Sequence, residues 1–285
     1  MSPNRAVPLM LVLLAGSVPA AAAQYRQPWT GTGITARQES GPGQVPIAAR
    51  TPSAPGTREA APPAPRAPAQ FTIRVENISK GEALKLSNGK SAPFVSAPVL
   101  WVLHTGSTNP IFKGGERDAG DGLEPLAETG DPSKLAAALA GQPGVIAAGG
   151  VARAVEATAD GALSPGQAYE FQISAEPGQL LSIAWMFGQS NDLFYSNDRP
   201  VALFDAAGKP LAADLTTQLS LWDAGTEVNE EPGLGPNQGP RQATPDAGVT
   251  ESQGIAHVRD RYVYPRTGQV LRVTIAPAGG AVSSR

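Results

Sequence analysis

Four carboxylates, Asp223, Glu227, Glu230 and Glu231, fall within nine residues in Leu221-Trp-Asp-Ala-Gly-Thr-Glu-Val-Asn-Glu-Glu-Pro-Gly233, and no Lys or Arg occurs between Lys209 and Arg241 to neutralise them. Like charges this close repel unless solvent screens them or a cation bridges them. A hard cation is the chemistry such a stretch would serve, since Ca²⁺ takes about six to eight oxygens from carboxylates, carbonyls and water in flexible geometry. Asp223 and Glu227 stand on either side of Gly225, and a sharp turn there would let the two acids converge. A solvated acidic loop satisfies the same spacing, and the stretch lacks the D-x-D-x-D-G order of an EF-hand loop. Spacing alone leaves both readings open.

A second candidate is Met186-Phe-Gly-Gln-Ser-Asn-Asp-Leu-Phe-Tyr195, where an apolar strand ends abruptly in polar turn formers. Strand-end loops are where sandwiches place ligands. Asn191 and Asp192 add oxygens to the same cation if this loop lies beside the acidic one; the other reading is an Asx-turn that caps its own backbone. Ser190 matches a nucleophile elbow only as far as the serine, because Asp192 stands where the tight turn needs Gly. His104 follows the apolar Trp101-Val-Leu103 and reads as structural, while His257 reads as strand surface. Glycoside hydrolysis needs two carboxylates at a defined separation, and nothing in the sequence singles out such a pair. No catalytic residue is assigned.

These loops need a scaffold, and the pattern of the chain supplies one. Phe71, Ile73 and Val75 alternate with polar residues, as do Tyr169, Phe171 and Ile173 after Ser164-Pro-Gly166, and Leu271, Val273 and Ile275 after Thr267-Gly268. Such alternation predicts half-buried strands. Continuous apolar runs at residues 97–103, 180–187 and 201–204 predict strands covered on both faces. One helix is signalled at Asp131-Pro-Ser-Lys-Leu-Ala-Ala-Ala-Leu-Ala-Gly141, with an N-cap acid, Pro at the first helical position and a terminating Gly. Short strands between Gly/Pro turns predict an all-β fold, an antiparallel sandwich with one or two short helices in its loops. Trp101, Trp185 and Trp222 lie in apolar strands and read as core rather than as a sugar platform.

Composition narrows the function further. The 285 residues include 32 Gly, 28 Pro and no Cys, which excludes a helical bundle, a disulfide scaffold, thiol chemistry and Cys-held metals. The net charge of −3 offers no basic footprint for nucleic acid. Arg5, the apolar run from Ala6 to Val18 and Ala21-Ala-Ala23 read as a secretory signal over residues 1–23. The run is too short to span a bilayer. Once the signal is cleaved, the reading is of an exported chain, periplasmic or extracellular, with no transmembrane anchor. Residues 24–70 hold nine Pro, nine Ala, five Arg and two acids, a linker composition that cannot bury enough apolar surface to fold. Gly31-Thr-Gly-Ile-Thr-Ala36 matches a dinucleotide-binding pattern but has no strand before it and no helix after it. Residues 71–277 form the domain, with sixteen basic and twenty-three acidic groups from residue 71 onward, and residues 278–285 form a tail.

The segments Phe71-Thr-Ile-Arg-Val-Glu-Asn77, Ala97-Pro-Val-Leu-Trp-Val-Leu-His-Thr105, Gly122-Leu-Glu-Pro-Leu-Ala-Glu128, Met186 to Phe194 and Leu221-Trp-Asp-Ala-Gly-Thr-Glu227 resemble the spondin N-terminal domain of F-spondin-type matrix proteins and of bacterial exported proteins. The resemblance implies a sandwich similar to a C2 domain, with Ca²⁺ held by acidic loop residues at one end. Matched residue by residue, the ligands fall on Asp192, Asp223 and Glu227, with Asn191, Glu230 and Glu231 as further candidates. Animal members carry Asp at the last matched position, so Glu227 lengthens one ligand. Their cysteine staples are absent here.

The expectation is therefore a non-enzymatic, exported calcium-binding module for adhesion, with a protein or glycan partner on the extracellular matrix or cell envelope. The alternatives are a calcium-stabilised hydrolase acting on envelope polymers and a purely structural exported module. The hydrolase predicts a pocket beside Ser190 and a histidine. The binding module predicts an exposed apolar or aromatic patch beside the ion, for example at Phe194 and Tyr195, and the absence of both pocket and patch favours the structural module.

Overall fold

The structure, a computed structural model, describes residues 67–278. The signal expected at 1–23, the linker up to residue 66 and all but the first residue of the tail lie outside them. The chain forms strands β1 (Ala69–Asn77), β2 (Leu84–Lys85), β3 (Ser91–Ala92) and β4 (Val99–His104), then helices α1 (Leu123–Thr129) and α2 (Ser133–Leu139). Strands β5 (Val145–Val151), β6 (Ala168–Ala175), β7 (Leu180–Met186), β8 (Leu193–Asn197), β9 (Val201–Ala202) and β10 (Ala213–Asp214) follow. The chain closes with β11 (Leu219–Asp223), β12 (Ala256–His257), a turn of helix α3 (Thr267–Val270) and β13 (Leu271–Pro277).

Alternation in the sequence becomes alternation of burial. Phe71, Ile73 and Val75 are fully buried, whereas Thr72, Arg74 and Glu76 are half-exposed. The strand begins at Ala69, two residues inside the stretch read as linker, because Ala69 and Gln70 still pair with Ala175 and Ser174 of β6. β1 lies in a four-stranded antiparallel sheet ordered β10-β13-β1-β6, with Ile73 opposite both Ile275 and Phe171. The second sheet is ordered β12-β11-β8-β7-β4-β5, with β9 also on β7, and β2 pairs with β3 in a separate hairpin. All pairings are antiparallel. The all-β sandwich-like fold expected from the sequence is the fold found.

The apolar runs of β4 and β7 are explained by a second layer of cover, whereas the run at 201–204, expected to be covered on both faces, yields only the two-residue β9 with Ala202 exposed. One face of the second sheet packs Leu181, Ile183, Trp185 and Tyr195 onto Ile73, Val75 and Val273 of the first. Its other face packs Leu100, Val102, Ala184 and Phe194 against Leu123 and Leu126 of α1 and Leu135 of α2. A strand buried on both faces has no polar side to alternate. The helices come this close because β5 carries Gly149 and Gly150, where a Cβ would meet the Trp101 ring at 2.9 Å on one side and Pro132 at 2.7 Å on the other. Phe194 and Tyr195 are fully buried, so the exposed aromatic patch expected at these residues is absent; α1 and the first sheet cover them. Among the described residues no helix is long and apolar enough to cross a membrane.

Candidate metal centre

The β7–β8 connection is built as rigid core. Residues 188–192 are buried throughout, and the Gln189 amide ties them to the chain before β4, accepting from the Val95 N–H at 3.0 Å and donating to the Pro93 carbonyl. Ser190 closes the turn: its Oγ donates to the Phe187 carbonyl at 2.6 Å and accepts the Leu193 N–H at 3.1 Å. The hydroxyl is thus engaged as a turn staple and is 1% exposed. His104 meets a different serine, with Nε2 3.0 Å from Ser182 Oγ, and both lie in the core. His257 sits exposed on β12, edge-on to Trp222.

This turn delivers Asp192 to the end of β11. Leu193 pairs with Asp223, and the Asp192 carbonyl accepts the Ala224 N–H at 3.1 Å. Asp192 itself is fully buried. Its Oδ2 accepts the backbone N–H groups of Thr226 and Glu227, each at 3.0 Å, and the Thr226 hydroxyl at 3.2 Å. Its Oδ1 is equally buried and has no hydrogen-bond partner. Burial and the neighbouring Asp223 carboxylate push the Asp192 carboxyl up to about 8, because loss of solvent and a like charge both disfavour ionisation.

Asp223 completes the pair from the other strand. Its Oδ1 accepts the Gly225 N–H at 2.7 Å, and its Oδ2 accepts the Asn229 side-chain amide. Burial raises its pKa as well, and a hydrogen bond shared with the Asp192 carboxyl works against that rise. The sharp turn expected at Gly225 is present: φ is +70°, and a Cβ there would lie 2.8 Å from the Gln253 carbonyl oxygen. The Asn229 amide oxygen is buried without a partner, as is Glu227 Oε2.

The structure brings Asp192 and Asp223 together but turns the Glu227 side chain elsewhere. Glu227 forms an isolated bridge with Thr250, so its N–H points at Asp192 while its carboxylate accepts the Gly248 N–H at 2.8 Å. A Cβ at Gly248 would collide with that carboxylate. Of the further candidates, Asn191 works as a brace, donating to the Val228 carbonyl at 2.8 Å and accepting the Glu230 N–H at 3.3 Å. Glu230 accepts two hydrogen bonds from Asn237. Glu231 accepts the Ser87 N–H and hydroxyl, stitching the acidic loop to the β2–β3 hairpin. The carboxylates of Glu230 and Glu231 are thereby engaged away from the Asp192–Asp223 pair.

Two contributors escape the sequence reading. Asn229 was hidden among acids of more obvious chemistry. Glu128, at the end of α1, is 2% exposed and pushed up to about 7, by burial first and then by Glu227 and other nearby carboxylates. Its signal was an acid in the last turn of a helix, where the macrodipole disfavours it, but α1 itself went unread around Pro125. Glu128 and Glu227 form a second acidic pair beside the first. Among the described residues no three Asp, Glu or His side chains gather tightly enough to hold a metal ion between them. What the site offers a hard cation is a fully buried carboxylate oxygen, an acidic neighbour and an amide oxygen in the same loops, with no base paired to any of them among the described residues. Comparison with known protein families and with characterised proteins finds no match for this chain.

Proposed function

We propose that the chain is an exported, non-enzymatic calcium-binding module of the spondin type, whose ion-stabilised loop end binds matrix or cell-envelope components. The observation that carries this reading is Asp192: a fully buried carboxylate whose Oδ1 faces no donor of the chain other than the neighbouring Asp223 carboxyl. A buried, unpaired carboxylate is costly, and a cation is the partner that removes the cost. Asp192 and Asp223 would hold the ion, with the Asn229 amide oxygen as a third donor. Glu227 joins them only if its carboxylate leaves Gly248. Bound there, Ca²⁺ would supply charge neutralisation and a link between the β7–β8 and β11–β12 connections. The family likeness and the adhesive role rest on the sequence motifs; the burial of Phe194 and Tyr195, where a binding module was expected to expose aromatic surface, counts toward the purely structural module.

The hydrolase alternative has less support, since Ser190 is spent on its own turn and His104 is paired with Ser182 in the core. Calorimetric titration of the full chain with Ca²⁺, alongside Asp192→Asn and Asp223→Asn, tests the reading. One binding event with a raised melting temperature in the wild type, lost in both variants, supports it. No heat and no stabilisation at millimolar Ca²⁺ overturns it in favour of the purely structural module.

A further inference from the structure

The second sheet ends at β5, the edge opposite the β11 and β12 strands that carry the acidic loop. β5 pairs with β4 alone, in regular register from Val99 opposite Val151 to Leu103 opposite Ala147. In an antiparallel pair every second residue points its N–H and C=O away from the partner strand. Among the described residues no backbone hydrogen bond outside the β4 ladder reaches residues 146–151.

The other edges are closed. β10 and β12 are two residues each. β6 carries Glu170 and is covered at one end, where Ala154 bridges Tyr169 and the Val155 N–H donates to the Ala168 carbonyl. Short, charged or covered edges are how sandwiches avoid pairing with other chains. β5, Val-Ile-Ala-Ala-Gly-Gly-Val, has seven residues with no charge and no proline.

The flank of the sandwich around β5 is apolar as well. Ile146 is 52% exposed. The Trp101 ring lies over Gly149 and stacks on Phe171 of β6 with 6.2 Å between ring centroids, and both rings are half-exposed. Charges beside this flank are answered within the chain, Arg153 by Asp160 at 2.9 Å and Glu170 by Arg74 at 3.0 Å.

We infer that β5 is a self-association edge, on which a second copy of this chain lays its own β5 antiparallel across a two-fold axis and joins the two second sheets into one. Charge and symmetry select this occupant. From residue 71 onward the chain holds sixteen basic and twenty-three acidic groups, so two copies repel over most of their surface and approach best where charge is absent or internally paired. A two-fold axis sets the same strand against itself, and an uncharged strand then opposes no like charges. A basic partner strand would find no carboxylate on β5 to select it. Size sets the strength: five to seven residues of edge span about 17–24 Å, giving an interface below about 1,200 Å² and a weak, reversible dimer. β5 carries none of the ion's ligands, so dimerisation and calcium binding stand or fall separately.

The test is sedimentation equilibrium of the full chain from about 5 to about 500 μM, a range that brackets weak association, in Ca²⁺ and in EDTA, with hydrogen exchange at residues 145–151 followed across the same range. A monomer–dimer equilibrium with a Kd of roughly 10–100 μM is expected in both buffers. It should strengthen as salt screens the acidic surfaces, and exchange at β5 should slow as the dimer forms. Ile146→Lys puts a charge on the edge of each copy and should weaken dimerisation about tenfold. Val263→Lys, a change at a side chain 75% exposed on the β12–α3 connection, should leave it unaltered. If Ile146→Lys abolishes cooperative melting, exchange in the wild type carries the test. A monomer throughout the range, undiminished association of the folded Ile146→Lys variant, or β5 exchange that does not change with concentration overturns the inference; exchange already slow in the monomer would assign the edge to another part of the chain.

Discussion

Glu76 and Asp192 are both carboxylates set among strands of one sandwich, and their surroundings are opposite. Glu76 lies at the surface of the first sheet between Arg74 Nε at 3.2 Å and Arg272 Nε at 2.6 Å, while Arg74 reaches on to Glu170 at 3.0 Å. The ladder crosses three strands, since Glu76 is opposite Arg272 and Arg74 opposite Glu170. Hydrogen bonding to Arg272, and then to Arg74, holds the Glu76 carboxyl below its ordinary range. Asp192 is fully buried, has a second acid and no base beside it, and is shifted the other way despite the N–H and hydroxyl groups of Thr226 and Glu227 on its Oδ2. Where the chain needs a counter-charge within itself it places an arginine at the correct register. At Asp192 and Asp223 it places none, and the missing charge must come from outside the chain or the pair must keep a proton. This contrast is the physical basis for proposing that a cation binds at one end of the second sheet.

The strongest way to break the contrast is Asp192→Asn. It should reduce Ca²⁺ affinity by more than about a hundredfold, beyond the usual cost of disturbing the groups around a metal. Stability in EDTA should hold or rise, because the amide oxygen can still accept the Thr226 and Glu227 N–H groups without repelling Asp223. Calorimetry and urea melts report the two effects separately. Next comes Gly225→Ala, which forces a side chain into a left-handed turn and against the Gln253 carbonyl. It should destabilise the fold by about 1–3 kcal/mol in urea unfolding and weaken Ca²⁺ binding by displacing Asp223.

The smallest effect belongs to the balanced carboxylate. Glu76→Gln should cost about 0.5–1 kcal/mol, an ion pair partly screened by solvent, and leave Ca²⁺ binding unchanged. The sign of its pH dependence follows from the lowered pKa. The wild-type advantage is full above the unfolded-state value near about 4.3 and disappears as pH falls through the lower folded-state value. Urea midpoints of wild type and Glu76→Gln should therefore converge in acid and separate above about pH 5.

The scaffold was legible in the sequence because its signal is local. Period-two alternation at Phe71, Ile73 and Val75 needs only neighbouring residues to be read, and the same holds for the continuous runs in β4 and β7. The helix was marked by Asp131, but it starts one residue later than the sequence suggests, at Ser133 with Pro132 as N-cap, and the Asp131 Oδ1 accepts the Ser133 N–H at 2.9 Å from just outside it. The pairing of Asp192 with Asp223 was suggested by motif likeness, and the register that brings Leu193 opposite Asp223 realises it. Side-chain direction was not legible. Whether Glu227 faces Asp192 or Gly248 depends on its bridge to Thr250, and the engagement of Glu231 with Ser87 spans 144 residues of sequence. Burial of Phe194 and Tyr195 escaped for a related reason: sequence shows that a residue is apolar but not that α1 returns to cover it.

The most direct test of the central claim is a crystal structure grown with Ca²⁺, with anomalous scattering used to locate the ion. The account predicts one site in contact with Asp192 Oδ1 and an Asp223 oxygen at about 2.3–2.6 Å, with the Asn229 amide oxygen turned toward it. An ion bound instead at the Glu128–Glu227 pair, or no ion at all beside a protonated Asp192, would contradict it.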